Sequence, residues 1–212
     1  MNYALRTPAH VEEGKQYPAI FLMHGLGSNE QDLLPLLDEL EDVYVFSIRG
    51  PLSQPPGFAF FTIQGFGNPH RPVFEETVEK ITDFIDYACS HYPVDPGCLY
   101  TMGFSQGAIL AMTLGLSLNG RIKGAAALSG YIPSFVQEAY PEKLAYPLSL
   151  FISHGETDPI FPLSWGEANT KFFEKREADV VFHIDPSGHA VSQAVQKNLI
   201  QWFQAINDGG EN

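Results

Sequence analysis

The sequence passes from an apolar run, Leu99-Tyr100-Thr101-Met102-Gly103, through Gly103-Phe104-Ser105-Gln106-Gly107, into a stretch from Gln106 to Leu118 that is apolar nearly all round. A helix without a polar face has to be covered on every side. The segment therefore predicts a layered interior in which a strand feeds straight into a buried helix. G-x-S-x-G at such a junction is the pattern of a nucleophile elbow, where the chain turns sharply and holds the serine strained with its Oγ exposed. Glycines two positions either side remove the Cβ atoms that would collide across the turn. The bland reading is a turn of small residues; the strand before it and the buried helix after it favour the elbow.

The rest of the chain fits the same architecture. Apolar runs at Ala19–Met23, Val43–Ile48, Ala125–Ser129, Leu148–Ser153 and Val180–Ile184 alternate with longer helical patterns. Such alternation is the mark of βαβ units and a mostly parallel sheet flanked by helices. Helices are predicted at about 74–91, 106–118, 165–178 and 190–206, with a frayed tail from Asn207. Another is predicted to start near Ser28, which has capping-box spacing to Gln31, and to be limited by Pro35. At 212 residues the reading is one α/β domain over 1–212.

Hydrophobic residues make up 44% of the chain and charged ones 17%, a balance that excludes disorder. The 25 acidic residues against 12 Lys and Arg give a net charge of −13. That charge repels phosphate backbones and anionic lipid, so neither nucleic acid nor a membrane surface is an expected partner. No apolar run reaches bilayer-spanning length, no signal peptide opens the chain, and the expectation is a cytoplasmic protein. Cys89 and Cys98 have no metal or redox spacing and read as buried thiols. The seven histidines show neither HxH nor HExxH spacing, so no metal and no cofactor is expected.

A serine needs a base to remove its proton, and in this architecture the partners follow in the order serine, acid, histidine. Asp158, in His154-Gly155-Glu156-Thr157-Asp158-Pro159, and His189, in Pro186-Ser187-Gly188-His189, both follow strand ends in that order. Open parallel sheets bind ligands beyond the carboxyl ends of their strands. Glu156 is an alternative acid, and His189 could instead cap the last helix. Acyl transfer also needs N–H donors for a developing oxyanion. The candidates are Gln106, after the serine, and Leu26, in His24-Gly25-Leu26-Gly27. His24 and His154 read as loop-fixing histidines. From Gly50 to Pro72 the chain is rich in proline, glycine and phenylalanine and has no period. Phe60 and Phe61 there read either as the wall of an acyl pocket or as core.

His24-Gly25-Leu26-Gly27-Ser28-Asn29-Glu30-Gln31-Asp32-Leu33, Ser47-Ile48-Arg49-Gly50-Pro51, the elbow and the Asp158 block together resemble the phospholipase/carboxylesterase family, which includes acyl-protein thioesterases. The likeness is closer to small bacterial carboxylesterases than to eukaryotic thioesterases. It implies a minimal α/β-hydrolase fold with little or no cap, acting without a cofactor on small esters or thioesters. It also implies Leu26 and Gln106 as oxyanion donors. The leading expectation is cleavage of carboxylic esters of short to medium acyl chains by a Ser-His-Asp acyl-enzyme route, in a monomer or weak homodimer. Thioesterase or lysophospholipase activity is the alternative, and a catalytically silent binding protein of the same fold the third reading.

Overall fold

The computed structural model describes residues 1–140 and 142–208. Its strands are β1 (Tyr3–Arg6), β2 (Tyr17–Met23), β3 (Tyr44–Ile48), β4 (Leu52–Gln54), β5 (Gly57–Ala59), β6 (Ile63–Gly65), β7 (Asn68–Pro69), β8 (Val94–Phe104), β9 (Ile122–Leu128), β10 (Ser149–Gly155) and β11 (Asp179–Asp185). Helices α1 (Arg71–His91), α2 (Gln106–Ser117), α3 (Ser134–Ala139), α4 (Leu163–Glu174) and α5 (Gln193–Asp208) lie between and after them. The expected frayed tail lies outside the described residues except for Asn207 and Asp208, which continue α5.

Seven strands form one sheet in the order β1-β3-β2-β8-β9-β10-β11. Only β1 runs antiparallel, against β3. The near-continuous apolar runs follow from this, because strands of a parallel sheet are covered on both faces. In β2, Ala19, Phe21 and Met23 pack with α1 and α2, whereas Ile20 and Leu22 pack with α5. Every residue of α2 from Gln106 to Leu116 is buried, as its nearly all-apolar composition requires. Chain order reverses beside β2, whose neighbours are β3 and β8, and this is the switch point where such sheets open a crevice.

Three sequence expectations change. No helix starts at Ser28: its backbone bridges Phe58 and its hydroxyl donates to Asp32 Oδ2 at 2.6 Å, and only a 3-10 turn at Leu34–Leu37 forms, with Pro35 in its first turn. The segment 50–72 holds two small hairpins, β4-β5 and β6-β7, separate from the main sheet. Cys89 and Cys98 are free and half-buried, not fully enclosed. No helix among the described residues is long and apolar enough to cross a membrane.

Phe60 and Phe61 fall on the core side of the alternative. Both have 0% exposure; Phe60 packs on the His24 ring at 4.8 Å and Phe61 on Phe74 at 5.0 Å. Rings so enclosed offer no surface to a substrate, which corrects their assignment as a pocket wall. Phe60→Ala or Phe61→Ala should cost about 3–5 kcal/mol of stability, the range for a buried phenylalanine. A denaturant melt of either variant within 1 kcal/mol of the parent, on the order of a surface change, would contradict that burial.

Candidate active site

The site is assembled by four strand ends. Residues Met23 of β2 and Gly103 of β8 are register partners, so the loop His24–Gly27 emerges beside Ser105. Ser105 takes φ 54° and ψ −112°, a region that costs a side-chain-bearing residue about 1–3 kcal/mol. Its N–H donates to Leu128 O at 2.8 Å, which ties the turn to β9. The flanking glycines are sterically compelled. A Cβ on Gly103 would lie 2.2 Å from the Gly107 carbonyl carbon, and one on Gly107 would lie 1.9 Å from Met23 O. The elbow is thus wedged against the end of β2.

β10 and β11 end in register, Gly155 opposite Asp185, so the loops carrying Asp158 and His189 leave the sheet side by side. Glu156 N–H donates to Asp185 O at 2.7 Å and Thr157 N–H to Ser187 O at 3.2 Å, stitching the two loops together. His189 then bridges the other two residues: its Nε2 lies 2.9 Å from Ser105 Oγ and its Nδ1 2.7 Å from Asp158 Oδ2. The Asp158 side chain is fully enclosed, while that of His189 is 16% exposed. The alternative acid, Glu156, is exposed, and the Nδ1 bond of the imidazole goes to Asp158.

The second oxygen of Asp158 accepts the N–H groups of Ile160 at 2.8 Å and Phe161 at 2.9 Å. Burial works to raise this carboxyl, but the bonds from His189, Phe161 and Ile160 outweigh it and hold it below the usual aspartate value. His154 supports the same turn. Its Nε2–H donates to Phe161 O at 2.9 Å, and it is itself buried. His24 does comparable work on the other side. Nδ1–H donates to Gly25 O at 2.7 Å and Nε2 accepts Gly50 N–H at 3.0 Å, an arrangement only the neutral ring can make. Burial lowers its pKa, in keeping with that neutral form.

Gln106 contributes more than its backbone. Its buried side chain accepts from Phe60 N–H at 2.7 Å and donates to Phe61 O at 2.8 Å, fastening that segment to the elbow. Its own N–H is among the first of α2, which have no partner within the helix. In the loop after β2, Gly27 N–H donates to Phe58 O and Ser28 N–H to Gly25 O, whereas Leu26 N–H takes part in neither bond. A Cβ on Gly25 would lie 3.5 Å from Ser105 Cβ, so this loop borders the serine. A helix N-terminus and a loop amide that bonds no other group among the described residues suit an anionic oxygen beside one hydroxyl. No spacing in the sequence points to Phe104 and Phe161 as neighbours of the base, yet their rings pack on the His189 imidazole at 4.8 and 5.4 Å. Among the described residues no group of three or more His, Cys, Asp or Glu is arranged to hold a metal.

The Phospholipase/Carboxylesterase family profile matches residues 9–207. Acyl-protein thioesterase 1 of Debaryomyces hansenii is 25% identical over 214 residues, 90% of each chain. The putative hydrolase MhqD of Bacillus subtilis is 26% identical over 199 residues, 91% of this chain and 96% of that one. Identity is level between the yeast and the bacterial relative. The crystal structure of the Bacillus cereus carboxylesterase superposes with a TM-score of 0.83 at 24% identity, covering 97% of this chain and 94% of that one, a likeness of fold.

Proposed function

The chain belongs to the phospholipase/carboxylesterase family, and on that premise we propose that it is a carboxylic-ester hydrolase acting through Ser105, His189 and Asp158. The observation that carries the reading is the two-sided bridge made by His189, 2.9 Å to Ser105 Oγ and 2.7 Å to Asp158 Oδ2. In the first half-reaction Oγ bonds to the acyl carbon while its proton passes to Nε2. The carbon–oxygen bond to the alcohol then breaks, and Nε2 returns the proton to the departing oxygen. Water repeats the sequence on the acyl-enzyme, giving its proton to Nε2 and releasing the acid as Oγ recovers a proton. Asp158 keeps Nδ1 protonated and steadies the imidazolium. Leu26 N–H and Gln106 N–H take the oxyanion.

The substrates are small esters of short to medium acyl chains, and the protein works as a monomer or weak homodimer. Similarity to a yeast acyl-protein thioesterase over 90% of the chain supports thioesters as the second reading; the same residues would serve. The test is a fluorophosphonate probe followed by peptide mapping, with 4-nitrophenyl esters of increasing acyl length alongside. The expected result is a single adduct on Ser105 and turnover strongest on short to medium chains. A folded protein that takes no label is a silent member of the fold.

A further inference from the structure

With Phe60 and Phe61 enclosed, the apolar surface that a substrate meets has to come from other residues. Four aromatic rings join beside His189. Phe161, edge-on to the imidazole at 87°, contacts Trp165 at 5.6 Å, Tyr131 at 5.1 Å and Phe66 at 6.4 Å. Trp165 in turn contacts Phe66 at 4.7 Å and Tyr131 at 4.8 Å. Phe66 sits at the tip of the β6-β7 hairpin and is 70% exposed. The tip rests directly on the indole: Gly67 has φ +72°, and a Cβ there would lie 2.9 Å from Trp165 Cη2. A single exposed apolar ring needs no explanation. Here Ile63 on the same hairpin and Ile160, next to Phe161 in the chain, are also about half exposed, at 47% and 49%, and the buried Phe161 ring links the cluster to His189.

We infer that Phe66 and the half-buried Trp165, backed by the buried rings of Phe161 and Tyr131, receive the alcohol portion of the ester and select flat, uncharged, aromatic leaving groups. The inference rests on the hydrolase reading and names its substrate class. His189 Nε2 protonates the departing oxygen, so the leaving group has to lie beside the imidazole, and Phe161 connects that position to the cluster. Phe104, the other ring on His189, belongs with the oxyanion loop, since a Cβ on Gly25 would lie 3.2 Å from it. Tyr131 is buried against the indole, and that burial pushes its phenol up to about 12, so no charge backs the cluster. A net charge of −13 disfavours an anionic leaving group. Aromatic partners gain from offset and edge-on geometry that alkyl chains do not share.

The experiment holds the acyl group at acetate and compares benzyl with ethyl ester in the parent, Phe66→Ala and Trp165→Ala proteins. The kcat/KM ratio of benzyl to ethyl acetate should fall roughly tenfold in each variant, the scale of one lost aromatic contact. Phe66 is largely solvent-exposed, so Phe66→Ala should fold normally even if Trp165→Ala is less stable, and melting temperatures accompany the kinetics. A series of ethyl esters of increasing acyl length should keep its profile in both variants. An unmoved benzyl-to-ethyl ratio in a protein that still labels at Ser105 overturns this inference alone. A shifted acyl profile with an unmoved ratio overturns it too, by putting the cluster on the acyl side. A parent protein that neither labels nor turns over any ester ends the hydrolase reading and this one together.

Discussion

Ser105→Ala should give a folded protein whose esterase activity has dropped by about 10⁶-fold, the scale on which removal of a serine nucleophile acts when the triad works as a unit. Alanine keeps the Cβ and the backbone that donates to Leu128 O, so the elbow's anchor to β9 survives. What disappears is Oγ and its 2.9 Å contact with His189 Nε2, while the bond from Nδ1 to Asp158 stays in place. The small residue of activity would come from oxyanion donors and binding alone. The strain at φ 54° remains in the alanine variant and is relieved in Ser105→Gly, so the glycine variant should melt higher of the two by an amount on the order of 1 kcal/mol once its greater unfolded freedom is subtracted. Turnover of 4-nitrophenyl acetate above a few per cent of the parent rate, in a preparation free of contaminating esterase, would mean that another nucleophile is at work.

What could be read from sequence was whatever local spacing controls. The central parallel strands announced themselves because burial on both faces leaves no room for polar alternation, and the elbow because two glycines are needed where Cβ atoms would strike Gly107 and Met23. What stayed hidden depends on partners far along the chain. β1 is a four-residue edge strand, half-buried along most of its length, recognisable only by its antiparallel pairing with β3. α3 is six residues long, too short for a periodic signal. Ser28 has the spacing of a helix cap, but pairing with Phe58 claims its backbone first. Phe60 and Phe61 stand in a segment too irregular to assign a face, and it is the Gln106 side chain that draws them inward. The contact of Phe66 with Trp165 joins a hairpin tip to α4, and nothing near either residue signals it. The choice between Asp158 and Glu156 was open for the same reason, since two acids two positions apart differ only in how the turn between them is held.

That choice yields the second large effect. Asp158→Asn should lower kcat/KM by about 10⁴-fold, as amide replacement of a triad acid does elsewhere, while Glu156→Gln should stay within roughly twofold, as exposed substitutions do. The difference can be derived atom by atom. Asp158 Oδ1 accepts two backbone N–H groups, from Ile160 and Phe161, so an asparagine has to keep its carbonyl oxygen there. Its NH₂ is then forced to the place of Oδ2, 2.7 Å from His189 Nδ1. Two donors cannot face each other, so Nδ1 gives up its proton and the ring holds it on Nε2, toward Ser105. In that tautomer Nε2 has no lone pair with which to take the Oγ proton. His154 makes escape difficult, because its bond to Phe161 O fixes the turn that supplies the two N–H groups. Glu156 is tied into the loop by its backbone N–H to Asp185 O, and exchanging its exposed carboxylate for an amide leaves that bond intact. Steady-state kinetics on the two variants decide the matter: if Glu156→Gln is the crippled one and Asp158→Asn is not, the acid has been assigned to the wrong carboxylate.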